Sequence, residues 1–304
     1  MPELPEVETV VRGLQSLRGK TFKSINVKRP KLISVGPKTL SPARKHTLTH
    51  VRVFKRVLLG RRIINISRRA KLIRIQISGG WWLFIHLKMS GQIILQHRNQ
   101  RRLLVRLMNT PKAPLETLPS KHTHIIIQFS DETLLYYNDT RLFGTWRAVT
   151  EKDLQKVADL KNFGPEPLSP SFTVEKFRIA LSRRPDMKIK QALTDQELLA
   201  GVGNIYADET LYKAKLRPTR RVKSLLAVDW QKLLSALRQV LRSAIKNHGS
   251  SIGDFIRPDG RMGNYGHFHK VYGRAGEPCK KCNTKIRRMV LGGRSTHYCP
   301  KCQV

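Results

Sequence analysis

The chain carries four cysteines, and their spacing constrains its fold more than any other feature. They form two Cys-x2-Cys pairs, Cys279 with Cys282 and Cys299 with Cys302, and the basic residues 283–298 lie between the pairs. Each pair places two thiolates on one tight turn, and two such turns complete a closed tetrahedral site for Zn²⁺. A closed site leaves no position for a substrate, so we expect one structural zinc ion in a C-terminal hairpin. The alternative is two disulfide bonds, which are rare in cytosolic proteins.

The charge of the chain indicates a polyanionic partner. Its 58 Lys and Arg residues outnumber 21 Asp and Glu residues and leave a formal net charge of +37. Such an excess destabilises a compact state by self-repulsion, whereas each phosphate that a cation neutralises releases counterions and adds affinity. Nucleic acid therefore fits better than an anionic membrane surface or a saline cytoplasm. No apolar run approaches the roughly 18 residues of a membrane span, and the start MPELPEVE does not resemble a signal peptide, so we expect a cytoplasmic protein.

The periodicity of the chain divides it into a strand-rich part and a helical part. A short helix is predicted over residues 5–17, and the β-branched segments that follow it predict an antiparallel sheet domain. The predicted strands cover residues 21–27, 49–54, 61–66, 72–78, 81–87, 92–95, 124–130 and 133–138. Apolar residues then recur at helical spacing, which predicts helices at residues 151–159, 173–182, 189–194, 204–214 and 227–247. The basic, Pro-containing segment 97–121 is predicted to be a mobile loop, with phosphate binding as a second interpretation.

Two glycine-rich turns in the helical and C-terminal parts favour contact with phosphates. Gly201-Val202-Gly203-Asn204 lies between two predicted helices, where glycines permit close backbone approach and the free amides of a helix N-terminus attract anions. The motif is weak evidence alone, but in so basic a chain it favours a helix-turn-helix-like clamp to which Asn204 donates from its side chain. The Gly-Gly turn between the cysteine pairs likewise presents Arg294 to a phosphate.

Carboxylates are distributed unevenly along the chain. Glu3, Glu6 and Glu8 lie close to the start, and the next acidic residue is Glu116. Glu6 and Glu8 suit the positive end of a helix dipole, with Pro5 in the first turn. Glu3 lies too near the terminus to gain much from the dipole, which indicates a chemical role for its carboxylate.

Several short motifs occur in order along the chain. They are MPELPEVETV, SRRAKL, HLKMSG, DTRLFGTW, GVGNIYADE and GGRSTHYCPKCQ. In this combination the chain resembles formamidopyrimidine-DNA glycosylase, the bacterial repair enzyme for oxidised guanine, from residue 2 to residue 303. The resemblance implies base excision repair of duplex DNA that contains oxidised bases or abasic sites. It also implies a monomer that is associated with the bacterial nucleoid.

The resemblance implies a catalytic group of four residues. After removal of Met1, the secondary amine of Pro2 attacks C1′ of the damaged nucleotide and forms a Schiff base. Glu3 matches the acid–base carboxylate that assists opening of the sugar ring. Lys71 and Arg294 match residues that hold phosphates around the lesion. Because β,δ-elimination follows loss of the base, the implied enzyme is a DNA glycosylase with AP lyase activity.

The resemblance also implies a set of DNA-binding residues. Chemistry on a base in a duplex requires extrusion of the nucleotide, and Met89, Arg141 and Phe143 match the side chains that fill the gap. Arg141 can in addition pair with the orphaned cytosine. Taken alone, Met89 and Phe143 would fit ordinary core packing. His86, in the HLKMSG motif, and Asn204 match further contacts to DNA.

Some features of the chain depart from the family pattern. The lesion-contacting lysine of the family has no secure counterpart in RRPDMKIK, where Arg184 or Lys188 can substitute. The connection 97–121 is longer than usual, and the charge of +37 exceeds what the fold needs, which suggests strong nonspecific binding or a saline cytoplasm. The Gly-rich stretch 251–272 resembles the loop that closes over the extruded base.

The sequence thus predicts an α+β protein of three domains. Residues 1–148 form an N-terminal antiparallel β-sandwich flanked by helices, residues 149–265 a helix-two-turn-helix DNA-binding domain, and residues 266–304 the four-cysteine zinc ribbon. Two other functions remain open: an endonuclease VIII-like glycosylase for oxidised pyrimidines, and a noncatalytic zinc-ribbon protein that binds nucleic acid. The PELPEVE start argues against the first, and the second leaves the glutamate-rich start unexplained.

Overall fold

The structure, a computed structural model, describes residues 1–37, 48–100, 104–105, 115–157, 160 and 162–304. The chain folds as two compact units, residues 1–161 with 248–264 and residues 162–247 with 265–304. Among the described residues, no helix has the length and apolar character needed to cross a bilayer.

The described part of the first unit contains two large sheets and one two-stranded sheet, with helices α1 (Leu4–Gly13) and α2 (Leu48–Leu58). Its strands are β1 Phe22–Val27, β2 Ile33–Val35, β3 Ile63–Arg69, β4 Leu72–Ile77, β5 Trp81–His86, β6 Gly91–Gln96, β7 Leu104–Val105, β8 Glu116–Thr117, β9 Thr123–Phe129, β10 Leu134–Asp139 and β11 Thr145–Thr150. One sheet has the order β1-β9-β10-β6 and the other β2-β11-β5-β4-β3, while β7 and β8 pair separately. Neighbouring strands are antiparallel except β2 and β11, which run parallel.

One hydrophobic core joins the two sheets of the first unit. The four-stranded sheet contributes Ile93 and Ile127, the five-stranded sheet contributes Ile75 and Trp146, and α1 contributes Val10. Each of these side chains is at most 2% exposed. Alternation along the strands produces this shared inner layer, because successive side chains of a strand point to opposite faces. The predicted α+β class with an N-terminal β-sandwich is confirmed.

The strand predicted at residues 49–54 is wrong, because these residues belong to helix α2. Val51, Phe54 and Leu58 are buried, a spacing that places them on one face of a helix. Val53 is 40% exposed on the opposite face. The alternation of valine with basic residues in this segment imitates a strand, but burial follows the helical period.

The second unit is helical and ends in a two-stranded hairpin. Its helices are α3 Val174–Ser182, α4 Ile189–Thr194, α5 Asn204–Ala214 and α6 Ala227–Lys246, and its strands are β12 Arg287–Leu291 and β13 Arg294–Tyr298. Buried Trp230, Leu233, Leu237 and Leu241 lie along one face of α6, at the helical spacing read from the sequence. The four predicted helices of this unit are therefore present.

Two of the segments interpreted in the sequence analysis are described only in part. The basic connection 97–121 contains residues 101–103 and 106–114, which lie outside the described residues, and its described part includes the β7–β8 pair. The helix predicted at 151–159 is a 3-10 helix over Glu151–Lys156, and positions 158 and 159 lie outside the described residues.

Candidate functional site

The first residues of the chain lie in a buried setting. Helix α1 begins at Leu4 with Pro5 in its first turn, and Glu3 is its N-cap. Pro2 is buried, Glu3 is 3% exposed, and Met1 before them is 44% exposed. The structure therefore brings the predicted nucleophile and the predicted acid–base carboxylate together at one helix N-terminus.

Glu6 fixes this N-terminal segment in place. One oxygen of its carboxylate, Oε2, accepts from the backbone N–H of Glu3 at 2.8 Å, and Oε1 accepts from the backbone N–H of Ser250 at 2.8 Å. Gly249 has φ +77°, and a Cβ atom there would lie 2.8 Å from Glu6 Oε1. The carboxylate thus joins the start of α1 to residues 249–250. The helix dipole alone therefore does not account for Glu6, because its carboxylate also holds the backbone of Ser250, which lies far from α1 in the sequence.

Glu8 has the ordinary role of a helix-surface carboxylate. It pairs with Arg12 and with Arg68, each at 2.9 Å. Its side chain is 22% exposed, in contrast to the buried Glu3.

Lys71 and His86 lie at neighbouring strand ends of the five-stranded sheet. Lys71 and Ala70, which has φ 53°, form the turn between β3 and β4, and Leu72 after them pairs with His86 at the end of β5. Lys71 is 4% exposed. Burial, followed by the charges of Lys88 and Lys71, lowers the pKa of His86 to about 3. Because His86 Nδ1 accepts from the Lys88 backbone N–H at 3.0 Å, the neutral ring carries its proton on Nε2 and can donate to an anion.

The three predicted wedge residues lie on two loops of the first unit and are exposed. Met89 is 43% exposed in the turn after β5, and Phe143 is 54% exposed in the loop after β10. The Arg141 guanidinium carbon lies 4.9 Å from the centre of the Phe143 ring, which is cation–π geometry. Exposure of this size excludes the core-packing interpretation of Met89 and Phe143.

Arg294 and Asn204 lie close together in the second unit. Gly292 (φ 56°) and Gly293 (φ 71°) form the two-residue turn between β12 and β13, and Arg294 follows as an exposed residue. Positive φ at both positions is the requirement of a type I′ turn. Asn204, the first residue of α5, donates through Nδ2 to the carbonyl of Ser295 at 2.9 Å. The side chain that is predicted to bind DNA thus also contacts the backbone next to Arg294.

Strand β13, which begins at Arg294, is also stabilised by a buried lysine. This residue is not identified in the sequence analysis. Lys190 Nζ donates to the Ser295 carbonyl at 2.7 Å and to Thr296 Oγ1 at 2.8 Å, and it pairs with Asp208 at 2.7 Å. Asp208 accepts in turn from the His297 backbone N–H at 2.9 Å. A lysine between Ile189 and Ala192 on the apolar face of a short helix is the sequence signal for this buried pair.

The two residues named as substitutes for the lesion-contacting lysine have partners on the surface of this unit. Arg184 forms an ion pair of 3.4 Å with Glu197, and both side chains are at least half exposed. Lys188 forms a backbone bridge with Arg221. Neither contact tests the predicted role, which stays a prediction.

The four cysteines form one cluster that fits a zinc ion. Their sulfur atoms all lie within 4.8 Å of one another. Sγ of Cys282 is 3.4 Å from Sγ of Cys299, and Sγ of Cys279 is 3.9 Å from Sγ of Cys302. A tetrahedral Zn²⁺ with bonds of about 2.3 Å needs sulfur–sulfur distances of about 3.8 Å. The donor set and its spacing therefore suit one closed, structural zinc site.

The residues at the end of the chain support this cluster. Gln303 is 0% exposed. Its Oε1 accepts from the Cys299 backbone N–H at 2.8 Å, and its Nε2 donates to the Leu216 carbonyl at 3.0 Å. The amide thus joins the second cysteine turn to the residues that follow α5.

Comparison with protein-family models matches three parts of the chain. Residues 1–146 match the formamidopyrimidine-DNA glycosylase N-terminal domain, residues 163–255 match the formamidopyrimidine-DNA glycosylase H2TH domain, and residues 276–304 match a zinc finger found in FPG and IleRS. The last match agrees with the four-cysteine cluster, and the predicted single structural zinc is confirmed.

Similar proteins and structures cover the chain over its full length. The formamidopyrimidine-DNA glycosylases of an Exiguobacterium species and of Heliobacterium modesticaldum are each 38% identical over 100% of this chain, and the match covers 99% and 100% of those proteins. The MutM (Fpg) structure from Thermus thermophilus aligns with a TM-score of 0.79 at 35% identity, covering 99% of this chain and 98% of that one. The Lactococcus lactis Fpg complex with DNA containing an abasic site aligns with a TM-score of 0.80 at 33% identity, covering 99% of both chains.

Proposed function

The chain belongs to the formamidopyrimidine-DNA glycosylase family, and from this we propose that it excises oxidised purines from duplex DNA with Pro2 as the nucleophile. Full-length similarity to the family carries the proposal, and the buried pair of Pro2 and Glu3 at the start of α1 supports it. The enzyme is a DNA glycosylase of base excision repair with AP lyase activity, and its substrate is duplex DNA with 8-oxoguanine, formamidopyrimidines or abasic sites.

The Pro2 nitrogen becomes nucleophilic when Met1 is removed. An N-terminal proline carries a secondary amine, and α-amino groups titrate near pH 8, so a useful fraction is neutral at about pH 7. The amine attacks C1′, the bond from C1′ to the base breaks, and the base leaves with the bonding electrons. The bond from C1′ to the ring oxygen O4′ then breaks as O4′ takes a proton, and the nitrogen lone pair forms the C1′=N⁺ bond of an iminium. This iminium permits elimination of the 3′ and then the 5′ phosphate, and hydrolysis returns the free amine of Pro2.

Glu3 supplies the proton transfers of this sequence. Its carboxylate can protonate the sugar oxygen as the ring opens and accept a proton afterwards. The low exposure of Glu3 and its place next to Pro2 support this role.

Four side chains supply the phosphate contacts. Lys71 and Arg294 hold phosphates as cations, His86 donates from its neutral ring through Nε2, and Asn204 donates from its amide. The position of His86 opposite Leu72, which follows Lys71, supports a shared anion site for these two residues. The Ser295 contact of Asn204 supports a second one with Arg294.

Met89, Arg141 and Phe143 form the wedge that enters the duplex. Their exposure leaves them available to occupy the space of the extruded nucleotide. Arg141 can donate to the Watson–Crick edge of a cytosine that has lost its partner, which favours lesions opposite cytosine.

The zinc ion, held by the four cysteines, fixes the hairpin that carries Arg294 and takes no part in bond breaking.

We also propose a site of action on the bacterial nucleoid, within the cytoplasm. The net charge of +37 supports lasting association with chromosomal DNA, and the relatives are bacterial proteins. The monomeric state and the domain limits 1–148, 149–265 and 266–304 stay predictions. The comparisons give no better support to the two alternative functions, an endonuclease VIII-like enzyme or a noncatalytic binding protein.

Substrate choice tests the proposal directly. We expect the purified enzyme to release 8-oxoguanine from a duplex with cytosine opposite and to act far more slowly on a thymine glycol duplex. Pro2→Gly is the matched control, since it should bind both duplexes and release neither base. Preference for thymine glycol would support the endonuclease VIII-like alternative, and binding without release of either base by the wild type would support a noncatalytic protein.

A further inference from the structure

Asp139, the last residue of β10, has a buried carboxylate at the base of two exposed loops. It is 1% exposed. Its Oδ1 accepts from Ser90 Oγ at 2.5 Å and from the Arg141 backbone N–H at 3.2 Å. Its Oδ2 accepts from the Gly144 backbone N–H at 2.8 Å and from the Tyr137 hydroxyl at 3.2 Å. A buried carboxylate is tolerated when its oxygens are satisfied in this way.

Three of these donors, all except the Tyr137 hydroxyl, come from the two loops that carry the wedge residues. Ser90 directly follows Met89, while Arg141 and Gly144 flank Phe143. Ser90 Oγ also accepts from the Arg141 backbone N–H at 3.1 Å, so Ser90 contacts both the carboxylate and the second loop. Both loops are therefore joined to the Asp139 carboxylate, the first through Ser90 Oγ and the second through two backbone N–H groups.

Tyr137 and two glycines close the space around the carboxylate. Burial, and then the charge of Asp139, raises the pKa of Tyr137 well above its usual value, so the phenol stays protonated and keeps donating. A Cβ atom on Gly144 would lie 1.6 Å from Tyr137 Oη, and one on Gly91 would lie 2.6 Å from it. Both positions require glycine, because a side chain would displace this hydroxyl.

The same carboxylate stabilises an uncommon backbone conformation between the wedge residues. Leu142 has φ 57°, in the left-handed region, and lies between Arg141 and Phe143. Hydrogen bonds to Arg141 N and Gly144 N hold the backbone on both sides of this residue. The Arg141–Phe143 cation–π pair is thereby positioned through the backbone, although both side chains are exposed.

We propose that Asp139 is a positioning residue that joins Met89, Arg141 and Phe143 into one preformed wedge, with Ser90 as the link between the two loops. The proposal rests on the wedge function given above. A preformed wedge enters the duplex without first ordering two separate loops, so extrusion of the damaged nucleotide loses less conformational entropy. Asp139 itself makes no contact with DNA in this scheme.

Asp139→Asn and Ser90→Ala test the proposal. In Asp139→Asn an amide NH₂ group replaces one accepting oxygen. This group cannot accept from the N–H or O–H donors that it faces, so one loop loses its hydrogen bonds to residue 139. Ser90→Ala removes the link between the loops without changing any charge. Asp131→Asn is the matched control, because it changes the same charge at a turn aspartate that is 46% exposed and contacts Lys20 and Thr133.

The readouts separate wedge insertion from bond breaking. Excision of 8-oxoguanine from a duplex requires the wedge, whereas borohydride trapping on a single-stranded oligonucleotide with an abasic site does not. A fluorescent cytosine analogue opposite the lesion reports insertion of Arg141 directly. Thermal unfolding of each variant establishes that it is folded.

We expect Asp139→Asn to lower duplex excision about 100-fold, the cost of misplacing a group by about 1 Å. Ser90→Ala should lower it about tenfold, which corresponds to the loss of one hydrogen bond. Single-stranded trapping should be unchanged in both variants, and the fluorescence change should be slowed or lost. Asp131→Asn should behave as the wild type in every assay.

Equal losses on duplex and single-stranded substrates would overturn the proposal, since they indicate general damage to the active site. Unchanged duplex excision and fluorescence in the two variants would overturn it as well. If Asp139→Asn does not fold, the Ser90→Ala result decides by the same criteria. Failure of the wild-type enzyme on the lesion duplex would count against the proposed function, which is a distinguishable outcome.

Discussion

Glu3 and Glu8 belong to the same N-terminal segment and have different surroundings. Glu3 is 3% exposed at the start of α1, next to Pro2, whereas Glu8 pairs with two arginines on the surface of the helix. Glu3 lies beside the proposed nucleophile and Glu8 does not, so the two residues should respond differently to removal of their charge.

Replacing Glu3 by glutamine should stall the reaction. General acid–base groups contribute about 10²- to 10⁴-fold to a rate, so we expect Glu3→Gln to lower single-turnover release of 8-oxoguanine by at least about 100-fold. Glu8→Gln removes the same charge from a half-buried side chain. It should leave the rate within a factor of about two, because neither Arg12 nor Arg68, the partners of Glu8, belongs to the proposed catalytic group. Full activity of Glu3→Gln would remove the assigned role.

The low pKa of His86 makes the stability of the first unit depend on pH. The pKa is about 3 in the folded chain against 6.5 for an unperturbed histidine. Between these values the unfolded chain binds a proton that the folded chain does not, so the free energy of unfolding falls as the pH is lowered through this window. Above pH 6.5 this histidine makes a constant contribution to the free energy of unfolding. Below pH 6.5 that contribution falls by at most about 1.4 kcal/mol per pH unit.

His86→Gln should reduce this dependence. We expect the thermal unfolding midpoint of the variant to fall less than that of the wild type as the pH is lowered from 6.5 towards 4, while both fall through the protonation of other groups. Parallel curves for the two proteins would contradict the half-buried, neutral state of His86.

At the scale of elements, the zinc hairpin is held by side chains from several directions. Lys190 and Asn204 contact the backbone of β13, and Gln303 contacts the second cysteine turn. The hairpin that carries Arg294 therefore depends on both the metal and its neighbours in the second unit.

Loss of one zinc ligand should release this hairpin without unfolding the first unit. We expect Cys299→Ser to lose its bound zinc, because a structural zinc site contributes folding free energy directly. Its DNA affinity should fall at least about tenfold, since the hairpin that carries Arg294 is then no longer held in place. Metal analysis, DNA titration and circular dichroism measure the three quantities. Lys281→Ala, which alters an exposed side chain of the first cysteine turn, should retain zinc and affinity. Unchanged binding by zinc-free Cys299→Ser would show that the hairpin is dispensable.

The elements also show how far the sequence determines the structure. The cysteine spacing and the apolar period of α6 predict their elements because each signal is local and repeats in the sequence. Helix α2 is missed, since alternating valines and cations over a few residues fit a strand equally well until tertiary packing selects one face. Strand β11 is missed for a related reason: Trp146 and Ala148 become core residues only through pairing with β5.

The residues of the candidate site also differ in how far the sequence alone predicts them. Pro2, Glu3 and the cysteines follow from motifs, whereas Asp139 and Lys190 acquire their importance from contacts with residues far away in sequence. Ser90 lies 49 positions from Asp139, and Ser295 lies 105 positions from Lys190. The apolar neighbours of Lys190 indicate that it is buried, but no local pattern identifies the distant partner of either residue.

At the scale of the whole molecule, the charge of +37 dominates association with DNA. Neutralised phosphates release counterions, so the binding constant should fall steeply with salt concentration. Most of this dependence is independent of sequence and lesion, which suits an enzyme that must scan undamaged DNA.

Salt dependence should distinguish phosphate-binding cations from the general excess of charge. The slope of log K against log[salt] is negative. Lys71→Gln and Arg294→Gln should each reduce its magnitude by about 0.9, the value for one lost phosphate contact on duplex DNA. Lys232→Gln removes a charge from the exposed surface of α6 and should leave the slope unchanged. Equal slopes for all of the variants and the wild type would contradict the assigned phosphate contacts.

Borohydride trapping with a duplex that contains 8-oxoguanine opposite cytosine is the most direct test of the nucleophile. The enzyme should form a covalent adduct, and peptide mapping should place the reduced link on the nitrogen of an N-terminal Pro2 from which Met1 has been removed. Pro2→Gly should bind the same duplex and yield little or no adduct. An adduct on a lysine, or no adduct under conditions where the protein binds this duplex, would contradict the Pro2 mechanism.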